Sequence, residues 1–172
     1  MVLGRTCDGC TMCCKLLRVG EKPALKWCEH CAIGKGCNIY DARPDECRTF
    51  HCGYLRMEEI GEAWRPANCK MVVAIGPGDK RLVIYVDEAR RGQWRNAPYY
   101  ATIKGWARAL CPQAGQVLVY DGREVIAILP DREKSLGLQR EGRVLTSTVT
   151  PSSNGPIYDV IESERPTNTE AA

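Results

Sequence analysis

The chain has 172 residues, 44% hydrophobic and 26% charged, with 24 Lys and Arg set against 21 Asp and Glu. A formal net charge of +3 with both signs interleaved lacks the dense basic stripe of a nucleic-acid binder, and no apolar run approaches the roughly 18 residues of a membrane span. The length suits one ordinary domain carrying a small metal module that is too short to bury a core alone.

Residues 1–70 are poor in periodic apolar pattern and rich in Cys, Gly and charge, so metal is expected to organise them. Within them a helix is predicted to start near Thr11, which places Cys13 and Cys14 in its first turn and anchors it through Leu16 and Leu17. The segment Asp41-Ala42-Arg43-Pro44-Asp45-Glu46-Cys47 reads as a second helix start, with Pro44 in the first turn and two acids complementing the helix dipole.

From Met71 the character changes. Met71–Ile75 and Leu82–Val86 are β-branched runs joined by Gly76-Pro77-Gly78-Asp79, which predicts a hairpin. That glycine pair lacks the Lys-Ser/Thr of a phosphate loop and is read only as a turn. Asn96 is the expected N-cap of a helix in which Tyr99, Ile103, Trp106 and Leu110 recur at helical spacing until Cys111-Pro112. Gln116–Tyr120, the turn Asp121-Gly122 and Glu124–Ile128 predict a second hairpin. Val144–Thr150 adds a candidate strand, and residues 151–172, rich in Ser, Pro, Asn and Thr, read as a frayed tail. The expected fold is α+β: a cysteine-rich module (1–70) packed on a mostly antiparallel sheet with one covering helix (71–150).

Nine of the eleven cysteines fall in the first third: Cys7, Cys10, Cys13, Cys14, Cys28, Cys31, Cys37, Cys47 and Cys52. Two-residue gaps let thiolates reach one ion or cluster across a tight turn, for which Gly9 supplies backbone freedom. A disulfide framework is the rival reading. It suits a short secreted chain, whereas Met1–Arg5 does not resemble a signal peptide, an odd thiol count leaves one unpaired, and the sequence therefore points to the cytoplasm. These nine are the candidate metal ligands. Adjacent side chains on a helix diverge by about 100°, so Cys13 and Cys14 suggest two metals or two corners of one cluster. Arg5, Lys15, Lys26, Lys35, Arg43 and Arg48 are candidates to neutralise an anionic thiolate site.

Other residues are read as structural. His30 and His51 each neighbour a cysteine, but the supply of thiols makes them unnecessary as ligands. Cys69 and Cys111 lie outside the dense region and read as small buried hydrophobes. Trp27, Trp64, Trp94 and Trp106 read as core or as a lid over the metal site.

The run Cys7 to Cys14, then Trp27-Cys28-Glu29-His30-Cys31, Gly36-Cys37-Asn38-Ile39-Tyr40, Arg43-Pro44 and Cys47-Arg48-Thr49-Phe50-His51-Cys52 resembles the YkgJ-type cysteine-cluster family of zinc- or iron-chelating domains. The resemblance implies metal binding by Cys7, Cys10, Cys13, Cys14, Cys28, Cys37, Cys47 and Cys52; relatives carry an apolar residue at the place of Cys31. Longer proteins with this signature are similar to flagellin lysine methylases, whose additional region this chain is too short to supply. The resemblance implies metal and leaves the reaction open.

Chemistry offers two cofactors. Cys7, Cys10 and Cys13 reproduce the gaps with which ferredoxins hold three irons of a [4Fe-4S] cluster, with Cys47 or Cys52 as a fourth ligand. The Cys7/Cys10 and Cys28/Cys31 pairs, seventeen residues apart, equally match two zinc knuckles. The three evenly spaced thiols and the vicinal pair favour the iron-sulfur cluster, and zinc is the alternative. The expected function is accordingly an iron-sulfur protein acting in redox chemistry or as part of a modifying enzyme, docking a protein partner or substrate. Its alternative is a structural zinc module.

Overall fold

A computed structural model describes residues 1–140 and 142–163. The fold is α+β, built on a five-stranded sheet in the order β3-β4-β5-β6-β7. Its strands are β3 (Met71–Ile75), β4 (Arg81–Val86), β5 (Gln116–Asp121), β6 (Glu124–Ile128) and β7 (Glu133–Leu138). Both expected hairpins form: β3 pairs antiparallel with β4, and β5 with β6. Strand β7 carries Glu133, Lys134, Ser135 and Gly137 and gives no strand signal, yet it pairs antiparallel with β6. The sheet is mostly antiparallel, and its exception joins the two hairpins, because β4 and β5 run parallel from Arg81 beside Gln116 to Val86 beside Asp121. Parallel neighbours need a crossover, and helix α5 (Tyr99–Leu110) supplies it.

Burial along α5 follows the helical period. Ile103 and Ala107 are fully buried, with Tyr99, Trp106 and Leu110 partly buried against the same core. The helix begins two residues later than Asn96 implied. Its N-cap is Pro98 without a side-chain bond, and it is the Asn96 carbonyl that accepts from the Tyr99 and Tyr100 amides. Among the described residues no helix is long and apolar enough to cross a membrane.

The first 70 residues contain four short helices, α1 (Met12–Leu16), α2 (Asp45–Thr49), α3 (Gly53–Arg56) and α4 (Pro66–Cys69), and a two-stranded hairpin, β1 (Cys31–Ala32) with β2 (Gly36–Cys37). Helix α1 starts where the sequence predicted. Helix α2 starts at Asp45, so Pro44 is its N-cap and not part of its first turn. Part of the segment joins the apolar core: Met12, Leu16, Tyr54, Leu55, Ile60 and Trp64 are buried in the same core as the sheet. Gly53 shows how close the two parts approach, since a Cβ there would lie 2.8 Å from Val73 Cβ on β3. Trp64 packs edge-on against Tyr99 and tilted against Trp106, tying this segment to α5.

The tail expectation fails for residues 157–163. Strand β9 (Ile157–Ser163) pairs antiparallel with β8 (Val144–Thr150) over its full length, forming a separate two-stranded sheet and not a further strand of the main one. Two apolar anchors explain its order, since Leu145 and Val160 are buried. Polar ties then dock the pair on the main sheet: Gln116 and Arg81 donate to the Leu145 carbonyl, and Lys134 reaches both carboxylate oxygens of Asp159 at 2.8 Å. The remainder of the expected tail, 164–172, lies outside the described residues.

Candidate metal centre

All eleven cysteines are free thiols. Cys69 and Cys111 are buried, as expected of small apolar side chains. The Cys69 thiol donates to the Trp64 and Met71 carbonyls at 3.5 and 3.4 Å, which holds its proton in place. Burial pushes its pKa up to about 11.

Cys7 and Cys10 lie on one tight turn, closed by the Cys10 amide donating to the Cys7 carbonyl at 2.8 Å. Gly9 within it has φ +66°, and a Cβ there would face the Gly34 carbonyl at 3.4 Å, so the residue suits both the turn and the approach of the β1–β2 tip. Cys52 is the N-cap residue of α3 and is buried. Cys7 lies within electrostatic reach of Cys52 and Cys10.

Cys13 and Cys14 belong to α1, whose inward face is Met12 and Leu16. Despite their divergence along the helix, Cys13 and Cys14 lie within electrostatic reach of each other, and Cys14 within that of Cys31. The Cys28 amide donates to the Cys14 carbonyl at 3.1 Å, and the Cys31 amide to the Cys28 carbonyl at 3.0 Å. Cys31 and Cys37 face each other across the β1–β2 pair. Cys47, in the first turns of α2, is close enough to feel the charges of Cys14, Cys28 and Cys37.

Five of the thiols, Cys7, Cys14, Cys31, Cys47 and Cys52, are held toward their neutral form. Partial desolvation raises Cys7, Cys47 and Cys52 above the ordinary thiol range, and burial pushes Cys31 up to about 11. Cys14 rises further, first through its hydrogen bond with Cys13 and then through burial. The dipole of α1 acts the other way, favouring thiolates at the helix start, and at Cys14 these two effects outweigh it. Among the described residues no three His, Cys, Asp or Glu side chains already close on one point as ligands of a single ion do. To ligate, the thiols must lose protons and turn toward a shared centre, a change that a metal drives by binding thiolate in place of proton.

The cations differ from those the sequence suggested. Lys15 pairs with Asp87, and Arg5 donates to the Tyr54 and Met57 carbonyls, so neither is committed to sulfur. Arg48 donates to the Asp41 and Arg43 carbonyls. Lys22, which sequence reasoning missed, sits within reach of Cys28, Cys14, Cys13 and Cys47. Its ammonium donates to the carbonyls of Pro23 and Lys26 at 2.9 Å and of Lys15 at 3.4 Å. Burial lowers its pKa while the thiols oppose that shift. No spacing rule marks Lys22; only the folded loop, closed by the Val19–Lys22 bridge, brings it to the sulfurs.

Arg43 is the second cation at the thiols. Its guanidinium lies 3.8 Å from the centre of the Tyr40 ring and within reach of Cys37 and Cys47. Its Nε is buried and has no hydrogen-bond partner among the described residues. His30 and His51 engage Glu29 and the Thr49 carbonyl respectively. Trp94 and Trp64 are core residues, and Trp27 lies under the Lys15 ammonium at 5.6 Å.

Comparison with family models, with curated proteins and with solved structures finds no match to this chain.

Proposed function

We propose that this chain is a metal-binding protein whose thiols hold an iron-sulfur cluster, with redox chemistry or a part in a modifying enzyme as its use, in keeping with its resemblance to the YkgJ-type cysteine-cluster family. One observation carries the reading: Cys28 is bonded through its amide to Cys14, Cys31 faces Cys37 across the β1–β2 pair, and Cys13 and Cys47 lie within electrostatic reach of Cys14, a density of soft donors beyond the four that one tetrahedral ion takes. The donor set fits the group in charge as well. Four thiolates on a cluster leave net negative charge, and Lys22 and Arg43 are the cations at hand, the latter with an unpartnered buried N–H suited to a sulfur acceptor. When bound, a cluster would supply one-electron chemistry. The chain's own residues orient the thiols, shield them on the core side through Met12 and Leu16, and balance their charge.

A second reading has its own support. Cys28 and Cys31 form a turn leading straight into the β1–β2 pair, the arrangement of a zinc knuckle, and zinc would then be structural.

Anaerobic purification separates the two. Protein holding a cluster is brown, with iron and acid-labile sulfide in equal amounts, and dithionite bleaches it reversibly. Protein that stays colourless and binds only zinc, even when iron and sulfide are supplied, overturns the cluster reading, because zinc has a filled d shell and no redox step.

A further inference from the structure

We infer that the thiols of residues 7–52 serve two separate metal centres, one built by Cys7, Cys10 and Cys52 and the other by Cys13, Cys14, Cys28, Cys31, Cys37 and Cys47, with Arg43 between them. The inference rests on the metal-binding reading above and adds to it the division of the ligands.

Two independent sets of backbone ties produce the division. The chain leading into the Cys7–Cys10 turn is stitched to the segment that carries Cys52: the Val2 amide donates to the Leu55 carbonyl at 2.8 Å, and Arg5 bonds the carbonyls of Tyr54 and Met57. Arg65 closes the same unit by donating to the Asp8 carbonyl. The second set never uses those residues. Cys28 hangs from the Cys14 carbonyl, Cys31 from that of Cys28, and the Gly20 amide donates to Glu46 beside Cys47 at 2.8 Å.

The thiols follow these ties. Cys7 and Cys10 share one turn beside the segment that Cys52 caps, whereas Cys28 is bonded to Cys14 and Cys31 faces Cys37 across the β1–β2 pair; in keeping with this, Cys7 feels Cys52 and Cys10, and Cys47 feels Cys14, Cys28 and Cys37. Between the groups stand Thr11 and Met12, both buried, so the chain turns inward once between Cys10 and Cys13. Thr11 uses its hydroxyl to hold the Gly34 amide of the β1–β2 tip at 3.1 Å.

Arg43 touches both groups electrostatically, acting on Cys7 on one side and lying near Cys37 and Cys47 on the other. A single guanidinium there lowers the repulsion between two anionic centres. Cys69 is fully buried with its thiol directed at the Trp64 and Met71 carbonyls, so the smaller centre has three thiols and one open position. That set suits one divalent ion of borderline softness with an exchangeable ligand, and Cys7 faces solvent. The six-thiol group is the one with enough donors for a cluster or a second metal pair.

The test is a cobalt(II) titration of the reduced, metal-free full chain, read by thiolate-to-cobalt absorption and by native mass spectrometry. Wild type is expected to take at least two equivalents. Cys7→Ser should weaken one component and leave the other at wild-type strength, Cys37→Ser should do the reverse, and Cys10→Ala with Cys28→Ala repeats the comparison with a second member of each group. Near-ultraviolet circular dichroism of the core tryptophans reports whether each variant keeps the sheet body. A single equivalent, or variants from both groups weakening the same absorption alike, overturns the division while leaving metal binding intact. Wild type that takes up no cobalt overturns the metal-binding reading and the division together.

Discussion

Lys15 Nζ lies 2.8 and 2.7 Å from the two carboxylate oxygens of Asp87, clamping the first helix of the thiol-bearing segment to the residue that follows β4. The Asp87 carboxylate is 8% exposed and also accepts from the Ala89 amide. A carboxylate so enclosed needs its partner, because its hydration has been given up.

Lys15→Met is therefore expected to destabilise the protein by about 2 kcal/mol, the scale of a lost charged hydrogen bond that strands its acceptor. Urea unfolding monitored by tryptophan fluorescence measures it, and a change within error of zero would show that the pair is a surface contact only.

Lys22 predicts an effect on metal retention. Its ammonium is fixed by three carbonyls beside four thiols, so Lys22→Met removes both a loop tie and a compensating charge. Transfer of bound metal to a competing chelator should be faster in Lys22→Met than in wild type, with Lys22→Arg intermediate. Equal transfer rates would assign Lys22 to loop structure alone.

The cysteines outside the dense region separate from those within it. Cys10→Ser, Cys13→Ser and Cys47→Ser each remove a soft donor and should lower bound metal sharply. Cys69→Ser and Cys111→Ser should leave it near the wild-type amount, since both side chains are buried and the Cys69 thiol is spent on two carbonyls. Metal analysis after gel filtration decides, and loss from Cys111→Ser alone would mean that the end of α5 supplies a ligand.

Alkaline pH should destabilise the metal-free, reduced protein. Cys7, Cys14, Cys31, Cys47, Cys52 and Cys69 all have folded pKa values above the ordinary thiol value of 9.0, so the unfolded chain loses these protons first. Stability is then fully present below pH 9 and falls as pH rises through about 11, where Cys31 and Cys69 titrate in the folded state. The thermal midpoint of chelated protein should drop across that window and that of the metal-loaded protein much less, because ligated thiols have already given up their protons. Tyr85, raised to about 12 by burial, extends the decline at higher pH in both forms.

Metal removal should act on part of the chain. The loops from 18 to 48 contain no buried residue and hang on thiols and single hydrogen bonds, whereas Met12, Leu16, Tyr54 and Leu55 are packed into the common core. Chelation should open those loops to proteolysis and leave the five-stranded sheet resistant. Sheet cleavage at the same rate would show that metal holds the whole fold.

The local parts of the structure were readable in the chain because their causes are local. β-Branched runs around Gly-Pro-Gly-Asp and Asp-Gly make the two hairpins, and the spacing of Ile103 and its neighbours makes α5, each within a dozen or so residues. The two signals that failed were compositional. A Ser- and Pro-rich stretch hid the β-branched and aromatic Ile157, Tyr158, Val160 and Ile161 of β9, and polar β7 is held in place only by pairing with β6.

Composition and spacing likewise suffice to place nine soft donors between residues 7 and 52, since a thiol's affinity for metal is a property of the residue. Which thiols become neighbours is a different question. Cys52 joins Cys7 and Cys10 across more than forty residues because Arg5 and Val2 bond the α3 segment, and Cys14 meets Cys31 because a hairpin folds back on α1. The parallel β4–β5 pairing, the clamp of Lys15 on Asp87 and the arrival of Lys22 among the sulfurs have the same origin: each is a contact between distant segments whose energy exists only once the core has brought them together.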